Sequence, residues 1–229
     1  MELYGSNSKS IPQKVIISLL ELVFIRLSFW ILFQSGGSFA ALNLGIHNAA
    51  PSIPRRDILF AFSLIAFFRL GFMMFYLLKR KIPWQETFSI PIAFALYYVG
   101  FALFVLPVGK PIGVVDIAGI ALFLIGSAIN TTAEILRKQW KDLPDNQGKL
   151  YTQGLFKWSM HINYFGDLLW VSAYALVSGN IYSLSIPIFL FCFFVFYNIP
   201  KLDSYLHRRY GQAFEAYTRR TRKFIPFLY

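Results

Sequence analysis

Cysteine is almost missing from this chain. Cys192 stands alone inside the apolar run Phe189-Leu190-Phe191-Cys192-Phe193-Phe194, which excludes a disulfide framework within the chain and a cysteine zinc site. Charge is also scarce: Asp, Glu, Lys and Arg make up 14% of the 229 residues, against roughly 25% in an ordinary soluble domain. Acidic residues are the scarcer sign, 11 against 22 Lys and Arg. The surplus cations sit in short segments and tails between apolar runs, where topology signals belong, so nucleic acid is not an expected partner. The start, Met1 to Ser10, lacks the basic-then-apolar pattern and small-residue cleavage site of a signal peptide, and the first apolar run is expected to remain in the mature protein. Internal repeats and low-complexity tracts are missing too. His47, in a loop, and His207, in the tail, have no metal-ligand company, so no metal is expected.

What is abundant is apolar surface. Hydrophobic residues make up 56% of the chain and aromatic ones 19%, more than a soluble core can bury. Apolar runs fall at about 15–35, 57–78, 87–107, 114–133, 164–178 and 182–199, most near the ~20 residues that cross ~30 Å of hydrocarbon. The expected fold is all-α: a polytopic membrane bundle of about six transmembrane helices with a C-terminal cytosolic amphipathic helix. Residues 1–133 form the N-terminal helices on the substrate side and residues 134–229 a C-terminal cofactor-binding region, within one integrated membrane domain. Ser178-Gly179-Asn180 reads as the tight turn of a helical hairpin. If the N-terminus is cytoplasmic, most Lys and Arg, from Lys9 to Lys223, fall on the cytoplasmic side, with Arg55, Arg56 and Lys110 outside and Arg26 and Arg69 within spans. Both termini are therefore expected inside, in either the plasma membrane or the endoplasmic reticulum. From Lys201 to Tyr217, Leu202, Tyr205, Leu206, Tyr210, Phe214 and Tyr217 recur at spacings of three and four, the pattern of one amphipathic helix. A basic helix lying on anionic headgroups is the plain reading of that tail.

Ionisable groups inside spans cost a few kcal/mol each, so they are functional candidates by default. Here they are Glu21, Arg26, Arg69, Glu134 and Asp167. One reading makes Glu21 or Arg26 structural glue, paired with Arg69 or Glu134. The other gives Glu21 a catalytic role, with Tyr97 or Tyr98 of the third span as partner, since a buried phenol can hydrogen-bond or protonate a bound carbonyl. Aromatic packing is the alternative for both tyrosines.

The strip from Gly154 to Asp167, Gly-Leu-Phe-Lys-Trp-Ser-Met-His-Ile-Asn-Tyr-Phe-Gly-Asp, carries polar and aromatic groups straight into a span. Free N–H groups and the dipole at a helix N-terminus favour an anion or a ribose there. Asn163 suits the N-cap, and Asp167 one turn later complements the positive end. A well-capped helix without ligand is the competing reading.

This strip, together with Tyr210-Gly211-Gln212-Ala213-Phe214-Glu215-Ala216-Tyr217 and Arg222-Lys223-Phe224-Ile225-Pro226-Phe227, resembles the C-terminal region of the membrane superfamily of steroid 5-alpha-reductases, sterol reductases and isoprenylcysteine carboxyl methyltransferases. The resemblance covers roughly residues 130–229. It implies a cytosol-facing cofactor cavity, holding NADPH in the reductases and S-adenosylmethionine in the methyltransferases. The family's cofactor positions would fall on Trp158, His161, Asn163, Tyr164, Asp167, Asp203, Arg208, Arg209, Tyr210, Tyr217 and Arg222, with Arg137 among the cations available to phosphates. The acidic residue after Gly166 and the closing Arg222-Lys223-Phe224-Ile225-Pro226-Phe227 look like the reductase branch. Where many relatives have Arg-His-Pro, this chain has Met160-His161-Ile162.

The resemblance therefore implies an enzyme: an NADPH-dependent reductase of a carbon–carbon double bond in a steroid, sterol or other lipid-like substrate, with Glu21, Tyr97 and Tyr98 as the acid site. Two rivals stand beside it, a membrane methyltransferase using S-adenosylmethionine, and a non-catalytic lipid-binding protein of the same fold. The expected partners are a hydrophobic small molecule and membrane lipid.

Overall fold

The computed structural model describes residues 9–46 and 52–229; His47 lies outside the described residues. The expected all-helical polytopic architecture is what it shows. In chain order the helices are α1 Ile11–Phe33, α2 Gly36–Leu44, α3 Ile53–Phe72, α4 Trp84–Ala95, α5 Phe101–Val105, α6 Val114–Asp142, α7 Ile162–Ser178, α8 Ser185–Phe193, α9 Ile199–Tyr210 and α10 Gln212–Arg220. Single π-turns extend α3 (Met73–Leu77), join α4 to α5 (Leu96–Gly100) and join α8 to α9 (Phe194–Asn198). Five helical stretches among the described residues are long and apolar enough to cross a bilayer: Ile11–Phe33, Ile53–Leu77, Trp84–Val105, Val114–Asp142 and Ile181–Tyr210. The remaining expected span, at 164–178, falls on α7, whose 17 residues stand at the lower end of the ~17–25 that cross a bilayer.

The chain divides into two compact units, one of residues up to 120 with 173–186, the other of 121–172 with 187–229. In the first, α1 packs against α2, α3, α4 and α5. Its inward face carries Lys14, Ile17, Glu21, Ile25, Ser28 and Leu32, spaced by three or four as one helical stripe requires, while Leu19, Leu22 and Val23 stay exposed. Arg55 does not sit in an outer loop as expected but in the first turn of α3. It forms a buried ion pair with Asp116. Nε donates to Lys110 O, one terminal nitrogen to Val177 O and Asp116 Oδ1, and the other to Pro111 O and Asp116 Oδ2. Every donor of the guanidinium fork thus has an acceptor. The expected turn at Ser178-Gly179-Asn180 is present: α7 ends at Ser178, and Asn180 Oδ1 accepts from the Tyr182 N–H at 3.0 Å.

In the second unit α6 and α7 cross backbone to backbone at Gly126 and Gly166. A Cβ on Gly126 would lie 2.6 Å from Trp170 N, and one on Gly166 2.7 Å from Asn130 N. Close approach through small residues is how helices associate where lipid removes the hydrophobic drive between them. The tail differs from the single helix expected over 201–217. It breaks at Gly211, whose φ of 49° and ψ of −122° interrupt the α-conformation, into α9 and α10. α9 is continuous with the last span. The inner face of the tail is covered by the chain itself: Met160, Phe214 and Tyr217 form a buried cluster with Leu150, Leu206 and Tyr210.

Candidate functional site

Two polar networks, one in each unit, hold most of the residues singled out from the sequence. In the first unit the π-turn Leu96–Gly100 carries Tyr97 and Tyr98, both buried. A π-turn inserts one residue into the helical register and often marks a functional position. Tyr98, 1% exposed, donates its hydroxyl to Oε2 of Glu21, 0% exposed, at 2.8 Å. Among the described residues, no group donates to Glu21 Oε1. A buried carboxyl oxygen without a donor is costly, which makes it the point of this network where a ligand group would gain most. Tyr97 packs its ring on Phe94 at 5.4 Å. Tyr174 of the same unit is stacked on Phe101 at 5.1 Å and donates its hydroxyl to Ser63 Oγ at 3.4 Å. Arg26, read from the sequence as one candidate for structural glue, pairs with no carboxylate among the described residues. Arg26 is exposed and reaches Gln34 Oε1 at 3.2 Å, and Glu134 has other partners. Long cationic side chains extend this way toward the helix end and the interface.

In the second unit α6 presents Gly126, Asn130, Glu134 and Arg137 along one face. Asn130, 2% exposed, donates to Asn163 O at 3.0 Å and to Asp167 Oδ1 at 2.9 Å. Asp167 Oδ1 also accepts from Trp170 Nε1 at 2.8 Å. Asn163 is not the N-cap of α7. The helix begins at Ile162, and the His161 carbonyl takes the first helical bond, from Phe165 N–H at 3.1 Å. The Asn163 amide turns instead to Glu134 Oε1 at 3.0 Å, while Glu134 Oε2 is paired with Arg137. The guanidinium of Arg137 lies 5.6 Å over the Phe156 ring.

Ahead of α7, the strip is pinned to the tail by backbone bonds. Met160 N donates to Arg222 O at 2.8 Å, His161 N to Lys223 O at 3.1 Å, and Ser159 Oγ to Phe224 O at 2.7 Å. His161, 1% exposed, has Nε2 2.9 Å from Asp203 Oδ1, and Lys223 Nζ is 3.6 Å from Asp203 Oδ2. The His161 ring stacks on Tyr164, and Tyr164 on Phe194 at 4.7 Å. A shallow groove of about 420 Å³ is lined by Asp203, Ser204, His207, Arg208 and Phe214.

The structure thus brings Arg137, Asn163 and Asp167 into one network and His161, Asp203 and Tyr164 into the next, with Arg208 on the groove. Trp158 is partly exposed beside them. Other candidates have local duties. Arg209 binds the hydroxyl of Tyr205 on its own helix at 2.7 Å. Tyr210 meets Lys141 Nζ at 3.2 Å. Tyr217 is buried and donates to Phe156 O at 2.5 Å, and burial pushes its phenol above the ordinary value. The Arg222 carbonyl holds the strip while its side chain is exposed. Asn130 and Ser159 were not singled out in the sequence. A lone amide four residues before Glu134, inside an otherwise apolar run, was the available sign for Asn130.

The family model described as "Protein of unknown function (DUF1295)" matches residues 67–221. The chain is 40% identical over 92 residues to a protein of Ustilaginoidea virens named "Probable O-methyltransferase ustE", a match covering 40% of this chain and 32% of that one. It is 31% identical over 111 residues to the 3-oxo-5-alpha-steroid 4-dehydrogenase 1 of Macaca fascicularis, covering 48% and 40%, and 29% identical over 111 residues to that of Homo sapiens, covering 48% and 41%. The matches span less than half of each of these relatives. The superfamily resemblance read from the C-terminal motifs is upheld by these findings.

Proposed function

The chain belongs to the DUF1295 family, and from that membership and its two polar networks we propose that it is an NADPH-dependent membrane reductase of a carbon–carbon double bond conjugated to a carbonyl in a lipid-like substrate. The observation that carries the reading is the Glu21–Tyr98 pair: a carboxyl and a phenol from separate helices, buried together, with Glu21 Oε1 unengaged. In its acid form, Glu21 would donate from Oε1 to the substrate carbonyl oxygen, and Tyr98 would fix the carboxyl's orientation through Oε2. Polarising that oxygen lowers electron density at the β-carbon and prepares it for hydride. The residues around the pair lie in apolar spans, which supports a substrate that partitions into the bilayer.

The second unit fits a dinucleotide by the chemistry of its donors. Its carboxylates Glu134 and Asp203 are already matched, to Arg137 and to His161 with Lys223. Exposed Arg208 and Arg209 on α9 remain for phosphates, whose charge calls for convergent cations. Asn163, Asp167 and His161 would hold the polar ring and ribose groups, and Tyr164 is held in register by its stack with Phe194. When bound, NADPH supplies the hydride. The concentration of Lys and Arg on one side of the spans supports cytoplasmic termini, in the plasma membrane or the endoplasmic reticulum.

The methyltransferase reading is kept by one observation, the 40% identity to a protein named as an O-methyltransferase. A sulfonium cofactor without phosphates gains nothing from the exposed guanidiniums, which favours the reductase. The test is to incubate the purified protein with NADPH and a panel of 3-oxo-4-ene steroids and enone lipids, and with S-adenosylmethionine in parallel. Products heavier by two hydrogens support the reductase; products heavier by one methylene unit overturn it.

A further inference from the structure

Arg219, Arg220 and Arg222, with Thr218 and Thr221, line an open polar pocket of about 280 Å³. All three guanidiniums are exposed. Among the described residues, Arg219 and Arg222 make no side-chain hydrogen bond or ion pair, and Arg220 bonds only Thr152 Oγ1 at 3.2 Å. Cations in the last turn of α10 would complement the helix dipole. That explains neither Arg222, beyond the helix end, nor the apolar surface beside it. Ser159 bridges to Arg222, and next to Ser159 stands Trp158, 44% exposed, its ring 5.0 Å from that of Phe227, 70% exposed. Lys157 Nζ lies 5.2 Å over Trp158, completing a basic rim around two exposed aromatic rings.

The usual account of such a tail, an amphipathic helix laying its apolar face in the bilayer, is closed to α10. Its apolar residues Phe214 and Tyr217 are packed on Met160. Any contact with the bilayer must use the cationic end and the rings next to it. The position suits this, because Trp158 and Ser159, the latter bridged to Arg222, stand directly ahead of the apolar helix α7.

We propose that this surface binds the phosphate of an anionic phospholipid headgroup, with Arg219, Arg220 and Arg222 as its ligands and Trp158 and Phe227 seated at the headgroup boundary. Aromatic rings favour that depth, and each juxtamembrane cation adds attraction to an anionic leaflet. The proposal rests on the membrane fold and stands whether or not the protein is a reductase.

The full chain would be reconstituted in nanodiscs of phosphatidylcholine, with or without phosphatidylglycerol, and followed by hydrogen exchange. Expected is slower exchange over residues 212–223 with phosphatidylglycerol, an effect lost at high salt and in the Arg219→Gln/Arg220→Gln variant. Protection of α1 and α7 in that variant should match the parent, which separates a lost site from a lost fold. Equal exchange in the two lipids would overturn the proposal. So would the same slowing by millimolar inorganic phosphate in pure phosphatidylcholine, which would assign the pocket to a soluble anion.

Discussion

Tyr98 and Glu21, 77 positions apart in the chain, meet through one 2.8 Å hydrogen bond, both buried within the first unit. α1 supplies the carboxyl from the middle of its inward stripe, and the π-turn of the third span supplies the phenol. Oε2 of Glu21 takes that bond, and among the described residues nothing donates to Oε1.

Glu21→Gln keeps the size of the side chain and a hydrogen-bonding partner for Tyr98 but removes the acid. Turnover of an enone lipid should fall by about 10²–10⁴-fold, the usual contribution of general acid catalysis, with thermal stability close to the parent. Full turnover in this variant would remove Glu21 from the acid site. Tyr98→Phe should cost less in rate, since it disorients the carboxyl without deleting it.

The Arg55–Asp116 pair predicts a different pattern. Arg55→Ala leaves the Asp116 carboxylate buried and strands the carbonyls of Lys110, Pro111 and Val177. Breaking one side of a buried pair costs about 3–5 kcal/mol, whereas replacing both sides with apolar residues can be nearly neutral. The Arg55→Met/Asp116→Leu double variant should therefore unfold later in detergent than Arg55→Ala. The reverse order would show that the Asp116 charge left buried by Arg55→Ala is not what destabilises that variant.

At the α6–α7 crossing, Gly166→Ala would place a methyl against Asn130 N, where backbone cannot yield. Overpacking of this kind costs about 1–3 kcal/mol. The shift that relieves it also pulls Asn130 from Asp167 and Asn163, so nucleotide affinity should fall along with thermal stability. Gly148→Ala, at a site with open space around it but a φ of 75°, serves as a comparison that should lose some stability and no affinity.

How much of this the sequence disclosed depends on range. The spans, the hairpin turn and the Glu21–Tyr98 candidates were legible because a charge or a polar break in an apolar run is conspicuous. Asn130 was not, since a neutral amide carries little of that signal, although it ties two motif residues together. The tail's spacing of apolar residues was correct and its continuity was not: the periodicity runs through Gly211, while the backbone there leaves the helical region. Asn163 was assigned to its own helix end, a local rule, but its partner is Glu134, 29 positions away. Arg55 looked like an exposed topology signal, and only the chain reversal that brings Asp116 and Val177 to it reveals a buried staple.

The central claim, a phosphate-bearing cofactor held by the second unit, is tested most directly by the thermal stability of the purified protein with saturating NADPH, NADH or S-adenosylmethionine. A ligand that binds only the folded state adds about 2.7 kcal/mol at a hundred times its dissociation constant. NADPH is predicted to stabilise the protein, NADH less, and Asn163→Ala to weaken the effect. Stabilisation by S-adenosylmethionine without any from NADPH would contradict the account.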